Sequence, residues 1–144
     1  MAGEAHKMHA QILTPEGKVY EGDAFQISTR TVVGEIGVRA RHAPMLARLV
    51  PHELRVYEDA AEFGGAEGGR RFASAEGWVE VFANRVTVLV GEAHDPQALD
   101  AADLRARLED AEQRLSEAEE DSAQQQIAEQ DRARAEAFLL IAER

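Results

Sequence analysis

The spacing of the apolar residues changes near residue 95, and that change restricts the chain to a fold of two unlike parts. From Met8 to Val90 short apolar runs alternate with period two: Ala10/Ile12, Phe25/Ile27, Leu54/Val56, Val79/Val81 and Val86/Val88/Val90. Successive side chains of a strand point to opposite faces, so this is the mark of strands buried on one side. Turn formers interrupt the runs at Pro15-Glu16-Gly17, Glu21-Gly22, Gly34, Pro51, Gly64-Gly65, Gly77 and Asn84. Such spacing predicts an antiparallel sandwich or barrel, and a β-sandwich of about ten strands over residues 1–95 is the fold expected here. From Gln97 onward the chain has no Gly, Pro, Val or Thr, and Ala, Glu, Gln, Arg and Leu dominate. Those are strong helix formers, so residues 96–144 are expected to form an antiparallel two-helix hairpin.

Local signals place the two helices. Asp100 and Asp103 are spaced like an N-cap and its reciprocal acid, which starts a helix near Ala101. Leu104, Leu108, Ala111, Leu115 and Ala118 then form one narrow stripe. The break is expected at Glu119-Glu120-Asp121-Ser122, with Asp121 or Ser122 capping a second helix that turns Ile127, Ala128, Ala135, Phe138, Leu139 and Ala142 to one side. A seam built of Leu and Ala buries little area at about 25 cal/mol per Å². Alternative packings of such a hairpin could differ by only a few kcal/mol, and a permanently docked tail is the competing expectation.

Composition excludes whole classes of function. The mean hydropathy is −0.39 and no apolar run approaches the roughly 18 residues of a membrane span. The segment from Met1 to Lys7 has neither an apolar signal core nor the Arg-rich, acid-poor character of a transit peptide, which leads to an expected cytoplasmic location. There is no cysteine, hence no disulfide and no thiolate metal site. The net charge is −11 and argues against binding nucleic acid or anionic lipid. Residues 1–97 carry 10 basic against 14 acidic side chains, and residues 98–144 carry 6 against 13, so the tail is the more acidic part.

Catalytic and metal motifs are absent. No Gly-x-Ser-x-Gly occurs, and the run Gly64-Gly65-Ala66-Glu67-Gly68-Gly69 lacks the Gly-Lys-Ser/Thr ending of a phosphate loop, so it reads as a flexible hairpin loop. His6, His9, His42, His52 and His94 match no metal-ligand spacing. No cofactor, metal or catalytic residue is therefore expected. Alternation puts Trp78, Glu80 and Phe82 opposite Val79 and Val81, giving this strand an unusually apolar second face. Trp78 or Phe82 is expected at a contact between sheets or against another chain.

The segment Gly34-Glu35-Ile36-Gly37-Val38-Arg39-Ala40-Arg41-His42-Ala43-Pro44-Met45-Leu46 carries the most specific signal. Its two glycines are expected to adopt backbone angles that a Cβ resists, and Pro44 to end regular pairing. This stretch resembles the signature of the epsilon subunit of bacterial F-type ATP synthases. Leu13-Thr14-Pro15-Glu16-Gly17-Lys18-Val19-Tyr20-Glu21-Gly22 resembles that family's opening hairpin, and residues 72–92 its closing strands. Beyond residue 95 only the order of elements is similar.

The resemblance implies a non-catalytic rotor subunit of the central stalk of a proton-translocating synthase, on the cytoplasmic face of the bacterial plasma membrane. Its partners would be the γ subunit, the membrane ring of c subunits and, through the hairpin, the catalytic β subunit. It places Gly34, Glu35 and Ile36 against the ring, with Glu35 accepting hydrogen bonds from the ring loop. His42, Ala43 and Pro44 would lie near γ, together with Trp78 and Phe82; His42 is expected to order its own loop. Plain turn residues on a solvated edge are the other reading of Glu35 and His42.

The family's hairpin is a compact-or-extended switch, and Arg132, Arg134, Phe138 and Leu139 occupy its regulatory positions. Here Arg132, Arg134 and Arg144 stand among Glu129, Asp131, Glu136 and Glu143, so attraction to an acidic partner would be weak and salt-sensitive. Some members bind ATP between sandwich and hairpin. The matching positions here hold His94, Asp103 and Asp110, an imidazole for an acid and two carboxylates for two arginines, so no tight nucleotide binding is expected. An adaptor of another multiprotein assembly, or an enzyme with a site in a sandwich cleft, are the alternatives.

Overall fold

The computed structural model describes residues 6–64 and 68–144. It divides into two compact units, Met1–Ala93 and His94–Arg144.

The first unit is built of strands β1 (Met8–Thr14), β2 (Gly17–Ala24), β3 (Gln26–Thr31), β4 (Gly34–Arg39), β5 (Met45–Leu49), β6 (His52–Tyr57), β7 (Arg70–Ser74), β8 (Gly77–Phe82) and β9 (Arg85–Val90), and the boundary between the units falls inside the two-residue strand β10 (Ala93–His94). Hydrogen-bonded neighbours follow the order β10-β7-β6-β3-β5-β8-β9-β1-β2, and β4 pairs with β3. Neighbours run antiparallel at β1–β2, β3–β4, β6–β7, β5–β8 and β8–β9, whereas β1 runs parallel to β9. β3 and β5 share only the Thr31↔Leu49 pair, and there the sheet passes from one half to the other. This closes the predicted sandwich.

The period-two residues fill it. Ala10 and Ile12 of β1, Val79 and Val81 of β8, and Val86, Val88 and Val90 of β9 meet Ile27, Val38, Leu54, Val56 and Phe72 in one buried cluster. Burying such a side chain contributes about 1.5–3 kcal/mol, so these positions define which face turns inward. Phe25 departs from the expected pattern. It is half-buried between β2 and β3, with the Arg39 guanidinium 4.7 Å from its ring centre. Glu21-Gly22 is not a turn either: both lie inside β2, opposite Gln11 and Ala10, because the register continues past them.

A short helix, α1 (Ala60–Phe63), precedes the glycine-rich run and sets Phe63 against Tyr57 and Arg39. Of the expected flexible loop, Gly65, Ala66 and Glu67 lie outside the described residues.

The second unit holds a 3-10 turn (Pro96–Ala98), α2 (Ala101–Glu117) and α3 (Ala123–Ala142). The Asp100 carboxylate accepts from the backbone N–H groups of Ala102 and Asp103, and the Ser122 hydroxyl accepts from that of Gln125. Both caps are where the sequence puts them. Leu104, Ala111, Ala128, Ala135, Phe138 and Ile141 are buried. Ile127 is not: it is 53% exposed, one residue before the fully buried Ala128, and so lies off the buried side of α3.

Candidate functional site

The sandwich turns an apolar surface outward on β5, β8 and β9. Val79 and Val81 face the core, so the alternating residues Trp78, Glu80 and Phe82 must face away from it. Trp78 is 44% exposed and Phe82 64%, which rules out a contact between the sheets for either. Register brings further groups alongside. Arg48 and Leu89 flank Trp78 on the neighbouring strands, Leu46 and Thr87 flank Glu80, and Arg85 lies opposite Phe82. Leu46 and Leu89 are exposed, and the Arg48 guanidinium carbon sits 5.8 Å from the Trp78 ring centre. A groove of about 410 Å³ runs along the strand ends, lined by Pro44, Met45, Leu46, Glu80, Val81 and Phe82.

The loop at residues 40–44 borders this groove, and a residue that the sequence marks only as a turn former holds it in place. β8 and β9 join through Ala83 and Asn84, both with positive φ (50° and 60°). Asn84 tolerates that conformation better than most residues with a Cβ. Its side-chain oxygen accepts from the Arg41 backbone N–H at 2.9 Å, its Nδ2 donates to the Lys7 carbonyl at 3.0 Å, and its own carbonyl accepts from the His9 N–H at 3.1 Å. Asn84 thus ties the N-terminal strand and the 40–44 loop to one hairpin tip. No residue spacing announces those partners, which are 77 and 43 positions away.

Within the loop, Arg41 has φ 65° and His42 is exposed with Nδ1 2.7 Å from the Ala43 carbonyl oxygen. That contact orders the backbone just ahead of Pro44 when Nδ1 carries the proton. Ala43 and Pro44 are exposed, and β5 begins immediately after them.

Gly34, Glu35 and Ile36 open β4 at another corner. Thr31 pairs with Gly34 across a two-residue turn of Val32 and Val33. The Thr31 hydroxyl accepts from the Val33 N–H and donates to the Gly34 carbonyl, which fixes the turn. Gly34 has φ +135°, a conformation open to glycine. Gly37 does not use such an angle; its lack of a Cβ leaves room for the Gln26 amide, whose nitrogen would lie 2.8 Å from one. The Glu35 side chain is 72% exposed, with one oxygen 3.7 Å from His52 Nε2, and Ile36 is half-buried against the core.

Two carboxylates elsewhere on the sandwich are held well below their ordinary range. Burial pushes Glu53 up, but hydrogen bonds from Arg71 (2.9 Å) and Arg55 (2.6 Å) outweigh it and bring the carboxyl to about 2. Hydrogen bonds from Lys18, Gln11 and His9 hold Glu21 at about 2 as well. Both are fully engaged ionic clusters rather than free acids or bases. No group of three or more His, Cys, Asp or Glu among the described residues could hold a metal ion.

In the helical unit, the His94 ring meets Phe138 edge-on at 5.8 Å. Asp103 is exposed on the first turn of α2, and Asp110 accepts a 2.9 Å hydrogen bond from Arg114. Phe138 is fully buried, Leu139 is half-buried, and Arg132 lies 3.7 Å from Glu136. Arg134 is half-buried and also has a partner. These positions therefore do not form one exposed patch.

The family model for the ATP synthase delta/epsilon chain β-sandwich domain matches residues 7–96. The chain belongs to the ATP synthase epsilon chain family. The epsilon chain of Halalkalibacterium halodurans is 36% identical over 115 residues, covering 80% of this chain and 81% of that one. That of Sulfurihydrogenibium is 28% identical over 131 residues, covering 91% and 93%. Among solved structures, a chain of the Euglena gracilis mitochondrial ATP synthase F1/c-ring assembly matches with TM-score 0.68 and 23% identity, covering 99% of this chain and 85% of that one. A chain of the Tetrahymena thermophila central stalk and c-ring matches at 0.60 and 21%, covering 97% and 99%, and shares the fold. As an epsilon chain the protein is a stalk subunit of the rotary synthase, a membrane-associated complex. No helix among the described residues is long and apolar enough to cross a membrane.

Proposed function

We propose that this epsilon chain is a non-catalytic coupling piece, with its sandwich clamped between the γ shaft and the ring of c subunits. Proton flow turns the ring at the cytoplasmic face of the bacterial plasma membrane, the chain passes torque into γ, and the catalytic subunits elsewhere make ATP. The observation that carries this reading is the outward apolar face of Leu46, Trp78, Phe82 and Leu89 beside the pinned loop of His42, Ala43 and Pro44. Large aromatic and aliphatic groups left in water on an otherwise acidic protein favour a protein partner, and aromatic anchors of this kind dominate binding energy. Gly34, Glu35 and Ile36 form the ring contact: the exposed Glu35 carboxylate accepts hydrogen bonds from polar ring loops on a turn that Thr31 keeps rigid.

The hairpin tunes ATP hydrolysis through Arg132, Arg134, Phe138 and Leu139. Since Phe138 is buried in this conformation, it reaches a partner only when the helices separate. The carboxylates around the two arginines weaken any grip on an acidic β-subunit segment.

The test is reconstitution of the chain with γ and ring subunits. Trp78→Ser and Phe82→Ser, both at exposed positions, are expected to keep the fold and weaken γ binding at least tenfold, roughly 1.4 kcal/mol or more. Undiminished γ binding by the double variant would reject the assignment. Truncation after Gln97, with synthesis and hydrolysis measured in membranes, separates the two units. Unchanged hydrolysis rejects a regulatory hairpin.

A further inference from the structure

The hairpin carries a second apolar groove, which shares only Leu139 with the contacts assigned to hydrolysis control. It holds about 310 Å³ between α2 and α3 and is lined by Leu108, Glu136, Leu139, Leu140 and Glu143. Leu140 is 67% exposed, on a helix whose buried residues Ala128, Ala135, Phe138 and Ile141 occupy another side. The rim is ionic. Arg105 bonds Glu143 at 2.9 Å, and Arg132 approaches Glu136 at 3.7 Å.

Those two cations are outnumbered. Glu112 lies one turn beyond Leu108 on α2, and Glu129 lies two turns before Glu136 on α3, so both extend the groove's own side. Both are exposed, and neither has an ion-pair partner among the described residues. Within His94–Arg144 as a whole, 14 acidic side chains face 6 basic ones.

We infer that this groove is a docking surface for a basic amphipathic helix, whose apolar side chains pack on Leu108, Leu139 and Leu140 while its lysines or arginines meet Glu112, Glu129, Glu136 and Glu143. Charge selects the occupant. A second copy of this chain brings a net charge of −11 to an acidic face, and an anionic lipid surface is repelled in the same way. A cationic helix gains on both counts: helix-in-groove packing supplies the apolar contact, and complementary charge supplies encounter rate and orientation. The surface belongs to the hairpin alone and does not depend on what the sandwich binds.

The probe is a fluorescent lysine-leucine peptide of about five helical turns, titrated against the full chain at physiological salt and read by anisotropy. Leu140→Ser is expected to weaken binding about tenfold, because the side chain is exposed and its loss removes contact without unfolding the helix. Glu112→Gln with Glu129→Gln is expected to weaken it about threefold and to flatten its salt dependence. Leu46→Ser, on the sandwich face assigned to γ, is expected to leave the peptide affinity unchanged. Three results each overturn the proposal: equal affinity for Leu140→Ser, an equal loss for Leu46→Ser, or equal binding of a scrambled peptide that has the same composition and no apolar face.

Discussion

Replacing Asn84 by alanine should loosen the sandwich and the 40–44 loop together. The substitution removes two side-chain hydrogen bonds, from the Arg41 N–H and to the Lys7 carbonyl. Both are exposed, so each is worth about 0.5–1 kcal/mol. It also leaves alanine at φ 60° without the local polar interactions that let asparagine occupy that region, at about 1 kcal/mol more. The expected loss is about 2–3 kcal/mol. Trp78 is the sole tryptophan and lies on β8, so urea unfolding followed by its fluorescence reports the sandwich and not the hairpin. Asn84→Gly keeps the positive φ and loses only the two bonds, so it should be about 1 kcal/mol more stable than the alanine variant. In the same preparations γ binding should weaken, because nothing at position 84 any longer accepts from the Arg41 N–H to hold the loop that carries His42 and Pro44. A loss below about 0.5 kcal/mol for alanine would refute the reasoning, as would a glycine variant no more stable than it.

Phe138→Ala should destabilise the hairpin by about 3–5 kcal/mol, seen as lost helical circular dichroism at a lower temperature, since it empties a fully buried aromatic site against His94. Glu53 sits at about 2 when folded against an ordinary value of 4.5, so its ionised form contributes stability above about pH 4.5 that fades as pH falls toward 2. The wild-type acid-unfolding slope in that window should therefore exceed that of Glu53→Gln; equal slopes would show that the Arg55 and Arg71 bonds contribute nothing. At neutral pH the same variant should lose about 3 kcal/mol by leaving two arginines without their carboxylate. Millimolar ATP should leave the thermal midpoint unchanged, because the carboxylates of Asp103 and Asp110 repel phosphate; a rise of several degrees would show binding.

The strands and both helix caps were legible because each depends on local pattern: period two with glycine breaks, and Asp100 or Ser122 ahead of an alanine-rich run. The outward Trp78 and Phe82 followed from alternation against Val79 and Val81. Phe25 and Ile127 depart from the expected pattern, as an apolar side chain at the right period can still fall between two strands or beside the buried side of a helix. Helix α1 escaped notice because one turn beside glycines has no period to read. The role of Asn84 was invisible for a different reason: its partners are set by tertiary placement, and only the folded chain brings Lys7 and Arg41 to it. The acidity of the tail was plain in the composition, but its concentration beside an exposed leucine groove needed the register of α2 against α3.

The parallel β1–β9 pair has a consequence for biosynthesis. β1 can form its hairpin with β2 as soon as both emerge, yet its other edge waits for β9, Arg85–Val90, to be translated. At about 5–20 residues per second that interval is roughly 3–13 s. Throughout it that edge of β1 presents an unpaired ladder of backbone groups, a template on which another chain can pair.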